Sequence, residues 1–151
     1  MKIREAVIAD LPCIVKMLSN DELGKLRELY EDPLPQSYYN AFGKIDADPN
    51  QLLVVVAHEN KEIIGTLQLT IIPYLNYQGS SRALIESVRV RDDFTGKGIG
   101  ANLIQWAIDK AKNEGAYIVQ LNSDKQRPDA IRFYEKLGFK ATHEGFKLHF
   151  D

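Results

Sequence analysis

The chain is 151 residues long, enough for one domain (residues 1–151) with a substantial core and no need of disulfide or metal staples. Hydrophobic residues make up 44% and charged residues 26%, ordinary for a globular protein, and a formal net charge of -2 supplies no broad basic field for nucleic acid. No apolar run approaches the ~20 residues that span a bilayer, Arg4 and Glu5 interrupt the first apolar stretch as they would not in a secretory signal, and the expected location is the cytoplasm.

Residues 2–7 alternate charged and apolar side chains, which predicts a short strand with one buried face. Asp10 is then placed to cap a helix that tolerates Pro12 in its first turn and carries Ile14, Val15, Met17 and Leu18 as an apolar stripe. Cys13, the single cysteine, excludes an intramolecular disulfide and is expected to be a buried packing residue. Residues 20–36 hold Asp21, Glu22, Glu28, Glu31 and Asp32. This stretch is either a solvated helix face or a rim that attracts a cationic substrate.

Residues 37–45 predict a second helix, closed by the turn Asp48, Pro49, Asn50. Residues 51–57 are almost continuously β-branched or apolar, the pattern of a strand buried on both faces, and a polar turn at Asn60 and Lys61 leads to a second strand over 62–72. A loop with Tyr74 and Tyr77 precedes a strand over 82–90. A helix follows over 98–113, with Ile99, Leu103, Ala107 and Ala111 at four-residue spacing. A strand over 116–121, a helix opened by Pro128 and stopped at Gly138, and an antiparallel pair over 139–143 and 146–150 complete the prediction. The order implies a mixed α/β (α+β) domain, and the segment 82–121 should form a parallel β-α-β crossover.

The stretch 85–101, IESVRVRDDFTGKGIGA, runs from a strand through a charged turn into Gly96, Gly98 and Gly100 at the start of a helix. Such a loop leaves backbone N–H groups uncovered and favours an anion. A P-loop needs a hydroxyl residue after its lysine, and Lys97 is followed by Gly98. A dinucleotide fingerprint is formally matched by Gly96, Gly98 and Ala101, with Asp124 downstream, but only about fifty residues follow and a second mononucleotide half has no room. The pyrophosphate of coenzyme A is the third reading.

Two motifs separate these readings. TGKGIG, Thr95 to Gly100, is similar to the [RQ]xxGxG pyrophosphate loop of the GNAT superfamily of acyl-CoA-dependent N-acyltransferases, with Thr95 standing where that family has Arg or Gln. AIRFYEKLGF, Ala130 to Phe139, resembles the family's AxxFYxxxGF motif. The resemblance implies a single GNAT-like domain with a mostly antiparallel mixed sheet flanked by helices and the crossover at the coenzyme site. It also implies direct transfer from acetyl-CoA to an amine, with no metal: a neutral amine attacks the thioester, an oxyanion develops and thiolate leaves. The needs are a base, oxyanion donors and an acid.

An alkylammonium has a pKa near ~10.4, so the amine needs a base at pH 7. Glu86 is the candidate: in strict alternation it shares a face with Leu84, Val88 and Val90, where desolvation would raise its pKa. A structural ion pair with Arg82 or Arg89, or a bulge that turns Glu86 outward, is the competing reading. By the resemblance, Tyr134 is the candidate acid, the backbones of Val88 and Val90 pair with the pantetheine arm, and the Val88 N–H faces the oxyanion. Thr95, Gly96, Lys97, Gly98, Ile99, Gly100 and Ala101 would surround the pyrophosphate, Asn122 the pantetheine arm, and Arg132 a phosphate. His58, His143 and His149 share no ligand-like spacing with Cys13, so no metal is expected.

The leading function is an acetyl-CoA-dependent N-acetyltransferase acting on a primary amine of a small molecule or an exposed amino group, with a tilt toward cationic acceptors from the acidic run. A catalytically silent acyl-CoA-binding module and a small dinucleotide-binding domain are the alternatives. Exposed edge strands are compatible with a homodimer.

Overall fold

A computed structural model describes residues 1–150. They form two compact units, residues 1–120 and residues 121–150. The first contains strand β1 (Lys2–Glu5), helix α1 (Leu11–Ser19), the single turn α2 (Gly24–Arg27), helix α3 (Gln36–Ala47), strands β2 (Gln51–Ala57) and β3 (Ile63–Ile72), an irregular turn α4 (Asn76–Gly79), strand β4 (Ser81–Val90), helix α5 (Ile99–Asn113) and strand β5 (Ala116–Leu121), whose last residue opens the second unit. The second holds helix α6 (Pro128–Lys136).

The strands lie in one sheet in the order β1-β2-β3-β4-β5, antiparallel from β1 to β4 and parallel between β4 and β5. The expected mixed sheet and β4-α5-β5 crossover are therefore present. β2 carries Val54 and Val55 at 0% exposure and Val56 at 2%, so consecutive residues are buried whichever face they take, as its unbroken apolar run predicts.

Antiparallel register fixes which residues share a face. Leu69 lies opposite Ile85, and Gly65 opposite Val90, on the face that receives α5. A Cβ built on Gly65 would sit 3.1 Å from Val56 Cγ2, 3.2 Å from Leu103 Cδ1 and 3.4 Å from the Arg89 carbonyl oxygen, so α5 is seated close against β3 because residue 65 has no side chain. Leu103, Ile104 and Ala107 of α5 are fully buried there. On the opposite face Leu53 and Val55 meet α1 and α3, where Leu11, Ile14, Val15 and Phe42 form a second apolar layer. Removing a side chain of this size from water stabilises the fold by about 1.5–3 kcal/mol.

Three expectations are corrected. Cys13 is exposed, because the buried stripe of α1 runs through Leu11, Ile14 and Val15 and leaves position 13 on the outer side. Asp10 precedes α1 but does not cap it through its side chain. Its carboxylate accepts instead from the Val7 N–H at 2.8 Å and from both Arg4 guanidinium nitrogens at 2.8 and 3.1 Å. The predicted pair of strands after residue 138 is absent: residues 139–150 have no regular structure, and Phe146, Leu148 and Phe150 are 93, 81 and 91% exposed. A two-stranded hairpin without a third strand or helix beneath its apolar face is marginal in water.

Burial alone would push the Asp10 carboxyl up, but the Arg4 hydrogen bonds, the Val7 N–H and the Arg4 charge outweigh it and hold the pKa below its ordinary 3.8. A depressed carboxyl contributes stability that is complete above the unfolded value, near ~3.9, and is lost as pH falls through the folded value. Asp10→Asn should therefore cost about 2 kcal/mol at pH 7 and lose less further stability than the parent below about pH 4, measured by urea unfolding across pH.

Candidate active site

β4 is the strand on which the site is built. Its regular pairing with β3 runs from Arg82 opposite Ile72 to Glu86 opposite Gln68, then resumes at Arg89 opposite Thr66. Two residues, Ser87 and Val88, thus face the single residue Leu67, which is a β-bulge. Ser87 adopts φ 56°, a left-handed conformation uncommon for a residue with a Cβ.

The bulge corrects the alternation expected for Glu86. Before it, Leu84 and Glu86 share the face of Thr70 and Gln68; after it, Arg89 takes that face and Val90 joins Gly65 on the α5 side. Glu86 does not share a face with Val90, and it is exposed rather than sunk among apolar side chains. The proposed ion-pair partners have other contacts: Arg82 donates to Gln120 Oε1 at 2.9 Å and stacks 3.8 Å from the Tyr74 ring centroid, and Arg89 donates to the Val88 carbonyl at 2.8 Å and approaches Asp21 at 3.8 Å. The sequence carries a signal of the irregularity at Ser87. That signal is faint: Leu84, Val88 and Val90 fit strict alternation, and only Ala83 and Ile85 fall in the other phase.

From Val90 the chain enters a short 3-10 turn, Asp92–Phe94, and then the glycine loop. Arg91 donates to Asp93 at 2.7 and 2.9 Å and to Glu62 at 3.3 Å; the Asp93 hydrogen bonds, ahead of the Glu62 contact, raise the guanidinium pKa, and Arg91 lowers that of Asp93 in turn. Thr95 Oγ1 donates to the Asp92 carbonyl at 2.9 Å, so this hydroxyl serves the turn. Lys97 Nζ lies 4.9 Å from the Phe94 ring centroid, held beside the loop by the aromatic face. Asn20, at the end of α1, donates to Asp92 at 2.6 Å and ties that helix to the same turn.

Gly96 and Gly98 have φ 75° and 81°, and a Cβ at either would meet nothing within 4 Å. Their requirement is conformational, and the space above them is open to a ligand. Gly98 is the N-cap of α5, so the first N–H groups of this fifteen-residue helix, at Ile99, Gly100 and Ala101, lack intrahelical partners and carry the positive end of the helix dipole. The loop fits a diphosphate: open backbone donors, a helix N-terminus and Lys97 beside them.

In the second unit, α6 presents Phe133 and Tyr134 with ring centroids 5.1 Å apart, edge to face, and Tyr134 also meets Phe139 edge-on at 6.0 Å. Tyr134 is half-buried, while Arg132 and Asn122 are exposed. The Tyr134 carbonyl accepts from the Leu137 and Phe139 N–H groups, which stops the helix at Gly138. The FYxxxGF spacing thus also fixes the orientation of the tyrosine ring within its unit.

Three carboxylates of the acidic stretch have partners, that of Glu22 on the exposed surface. Asp21 faces Arg89, Glu22 pairs with Lys25 at 3.3 Å, and Glu28 accepts from the Tyr38 hydroxyl at 2.9 Å. Among the described residues, no group of three or more His, Cys, Asp or Glu side chains is arranged to hold a metal, and no helix is long and apolar enough to cross a membrane.

A solved structure from Bacillus halodurans C-125, described as a transcriptional regulator, is 55% identical with a TM-score of 0.96 over 99% of both chains. An L-methionine sulfoximine/L-methionine sulfone acetyltransferase of Pseudomonas aeruginosa is 27% identical over 93% of this chain and 80% of its own length. An aminoalkylphosphonate N-acetyltransferase of Salmonella typhimurium is 30% identical over 74% of this chain and 71% of its own. The model of the Acetyltransferase (GNAT) family matches residues 16–139, a span that begins in α1 and takes in the bulged strand, the glycine loop and the FY helix. With both motifs inside that match and the loop shaped for a diphosphate, the chain belongs to the GNAT family and is an acyl-CoA-dependent acetyltransferase.

Proposed function

We propose that residues 1–151 act as one acetyltransferase domain that moves the acetyl group of acetyl-CoA directly to a primary amine of a small molecule. The observation that carries the reading is the bulge at Ser87, which takes Ser87 and Val88 out of one-to-one register with β3 on the strand that leads into the glycine loop. A backbone donor close to a diphosphate cradle is what a thioester with a phosphorylated tail requires.

Acetyl-CoA supplies the activated acyl group and a thiolate leaving group. Gly96 to Ala101 and Lys97 hold its diphosphate, the backbones of Val88 and Val90 and the side chain of Asn122 align the pantetheine arm, and Arg132 meets a phosphate. Glu86, exposed and open to water, takes the proton of the acceptor ammonium, directly or through a water molecule. The Val88 N–H donates to the developing oxyanion, and the Tyr134 phenol donates its proton to sulfur. The names of the Pseudomonas and Salmonella relatives, both acetyltransferases of small amines, support this acceptor class. The name of the Bacillus protein points to regulation, but a net charge of -2 gives no electrostatic basis for a nucleic-acid surface.

Release of free thiol from acetyl-CoA across a panel of primary amines tests the reading. Amine-dependent turnover supports it; tight coenzyme binding without turnover favours a silent acyl-CoA-binding module. Glu86→Gln is expected to flatten the acid limb of the kcat/KM profile, because the rate of a base-assisted reaction falls as its base is protonated. An unchanged limb in a pH titration of the variant removes Glu86 from the mechanism.

A further inference from the structure

The face of the sheet that carries Glu86 also carries a cavity of about 150 Å³ between α1, α3 and strands β2 to β4. Its wall is apolar: Ile14 and Leu18 of α1, Phe42 and Ile45 of α3, and Leu53 of β2. None of its lining residues carries a charge. Three of the polar side chains on its lining have partners within the fold. Thr66 donates to the Val54 carbonyl at 2.9 Å, Gln68 to Gln51 Oε1 at 2.9 Å, and the Tyr38 hydroxyl to Glu28. The exposed lining residues, Ala41 and Ser87, mark its open side.

The position of this cavity relative to the proposed base is set by the sheet. Gln68 on its floor is the cross-strand partner of Glu86, and Ser87 at its opening is the next residue in the chain. Directly opposed residues of an antiparallel pair have Cα atoms only about 4.5–5.5 Å apart. An amine whose nitrogen reaches Glu86 therefore has its substituent at the mouth of the cavity. A hydroxylated or charged substituent would surrender its hydration there with no charged group to receive it. An apolar one would gain the usual burial free energy. A closed apolar cavity of roughly 150 Å³ takes a benzene-sized group, which sets the scale of the substituent that fits here.

We infer that the cavity is the acceptor-side subsite and that the preferred acceptor is a primary amine bearing a compact apolar substituent of about four to six carbons, aliphatic or a single ring. This rests on the acetyltransferase reading above and narrows it. It also turns the expectation from an acceptor with additional positive charge toward a monoamine, whose single charge sits on the reacting nitrogen, consistent with Asp21 facing Arg89 and Glu28 accepting from Tyr38.

The test is the kcat/KM for acetyl-CoA-dependent acetylation of the straight-chain amines from methylamine to octylamine, with benzylamine, ethanolamine and putrescine as comparisons. The expected result is a rise of about 3- to 10-fold per methylene up to butyl or pentyl, then a fall, with ethanolamine and putrescine below the apolar amines of equal length. Ala41→Phe, which narrows the open side from an exposed position, is expected to reduce the ratio of butylamine to ethylamine kcat/KM at least tenfold; because this is a ratio, partial misfolding cancels from it. A flat response to chain length, or a preference for the hydroxylated or doubly charged amines, overturns the subsite while leaving the acetyltransferase reading in place. Acetylation of no amine at all overturns both.

Discussion

Tyr134→Phe is expected to lower kcat by about 10²- to 10⁴-fold, the range that a positioned general acid contributes. The change removes one oxygen and keeps the ring, so the edge-on contacts to Phe133 and Phe139 survive and the second unit keeps its packing. The dissociation constant for coenzyme A, read by calorimetry, should stay within about threefold, since an interaction made only as sulfur departs contributes to kcat and not to ground-state binding. A large loss of coenzyme affinity with kcat preserved would make Tyr134 a binding residue. Raising the pH should also distinguish parent from variant. The parent rate should fall at high pH as the phenol loses its proton, and the variant should lack that basic limb.

The second large effect is expected at Gly98. Its φ of 81° costs a residue with a Cβ about 1–2 kcal/mol, and no neighbouring atom lies within 4 Å to add a clash in the free protein. Gly98→Val should therefore fold with a modest loss of stability. With coenzyme the outcome is harsher. The β-branched side chain projects into the open space above the first N–H groups of α5, where a diphosphate must come within about 3 Å of nitrogen. Coenzyme A affinity should drop by at least 10²-fold, while Gly98→Ala should fall between parent and valine variant. Equal affinities across the three proteins, measured by calorimetry, would place the diphosphate elsewhere.

Much of this arrangement was readable from residue patterns. The unbroken apolar run of β2 predicted its bounds, and the four-residue spacing of Ile99, Leu103, Ala107 and Ala111 predicted which face of α5 is buried. The glycine spacing was legible because positive φ is a property of single residues. Glu86 was misplaced because a bulge is a property of two strands. Two residues of β4 face the single residue Leu67, and no residue of β4 announces that partner, since Leu84, Val88 and Val90 fit strict alternation. The same distinction explains Asp10. A capping residue and a carboxylate claimed by Arg4 look alike until β1 and the turn after it are folded together. The alternation of Phe146, Leu148 and Phe150 reads as a strand, but periodicity reports what a segment would bury and not whether a neighbour is present to receive it.

Gly65 gives the site a dependence on a residue that touches none of its ligands. Leu103 meets the bare Cα side of Gly65 one helical turn, about 6 Å, from the first residue of α5. A helix is stiff over that length, so any displacement forced at Leu103 is transmitted to the amides that would grip the diphosphate. The absent methyl group acts as a shim: it sets the height of the helix above the sheet, and with it the reach between the anchored tail of a coenzyme and the bulge where its acyl group must arrive. Variation at residue 65 would change catalytic alignment without altering a single catalytic side chain.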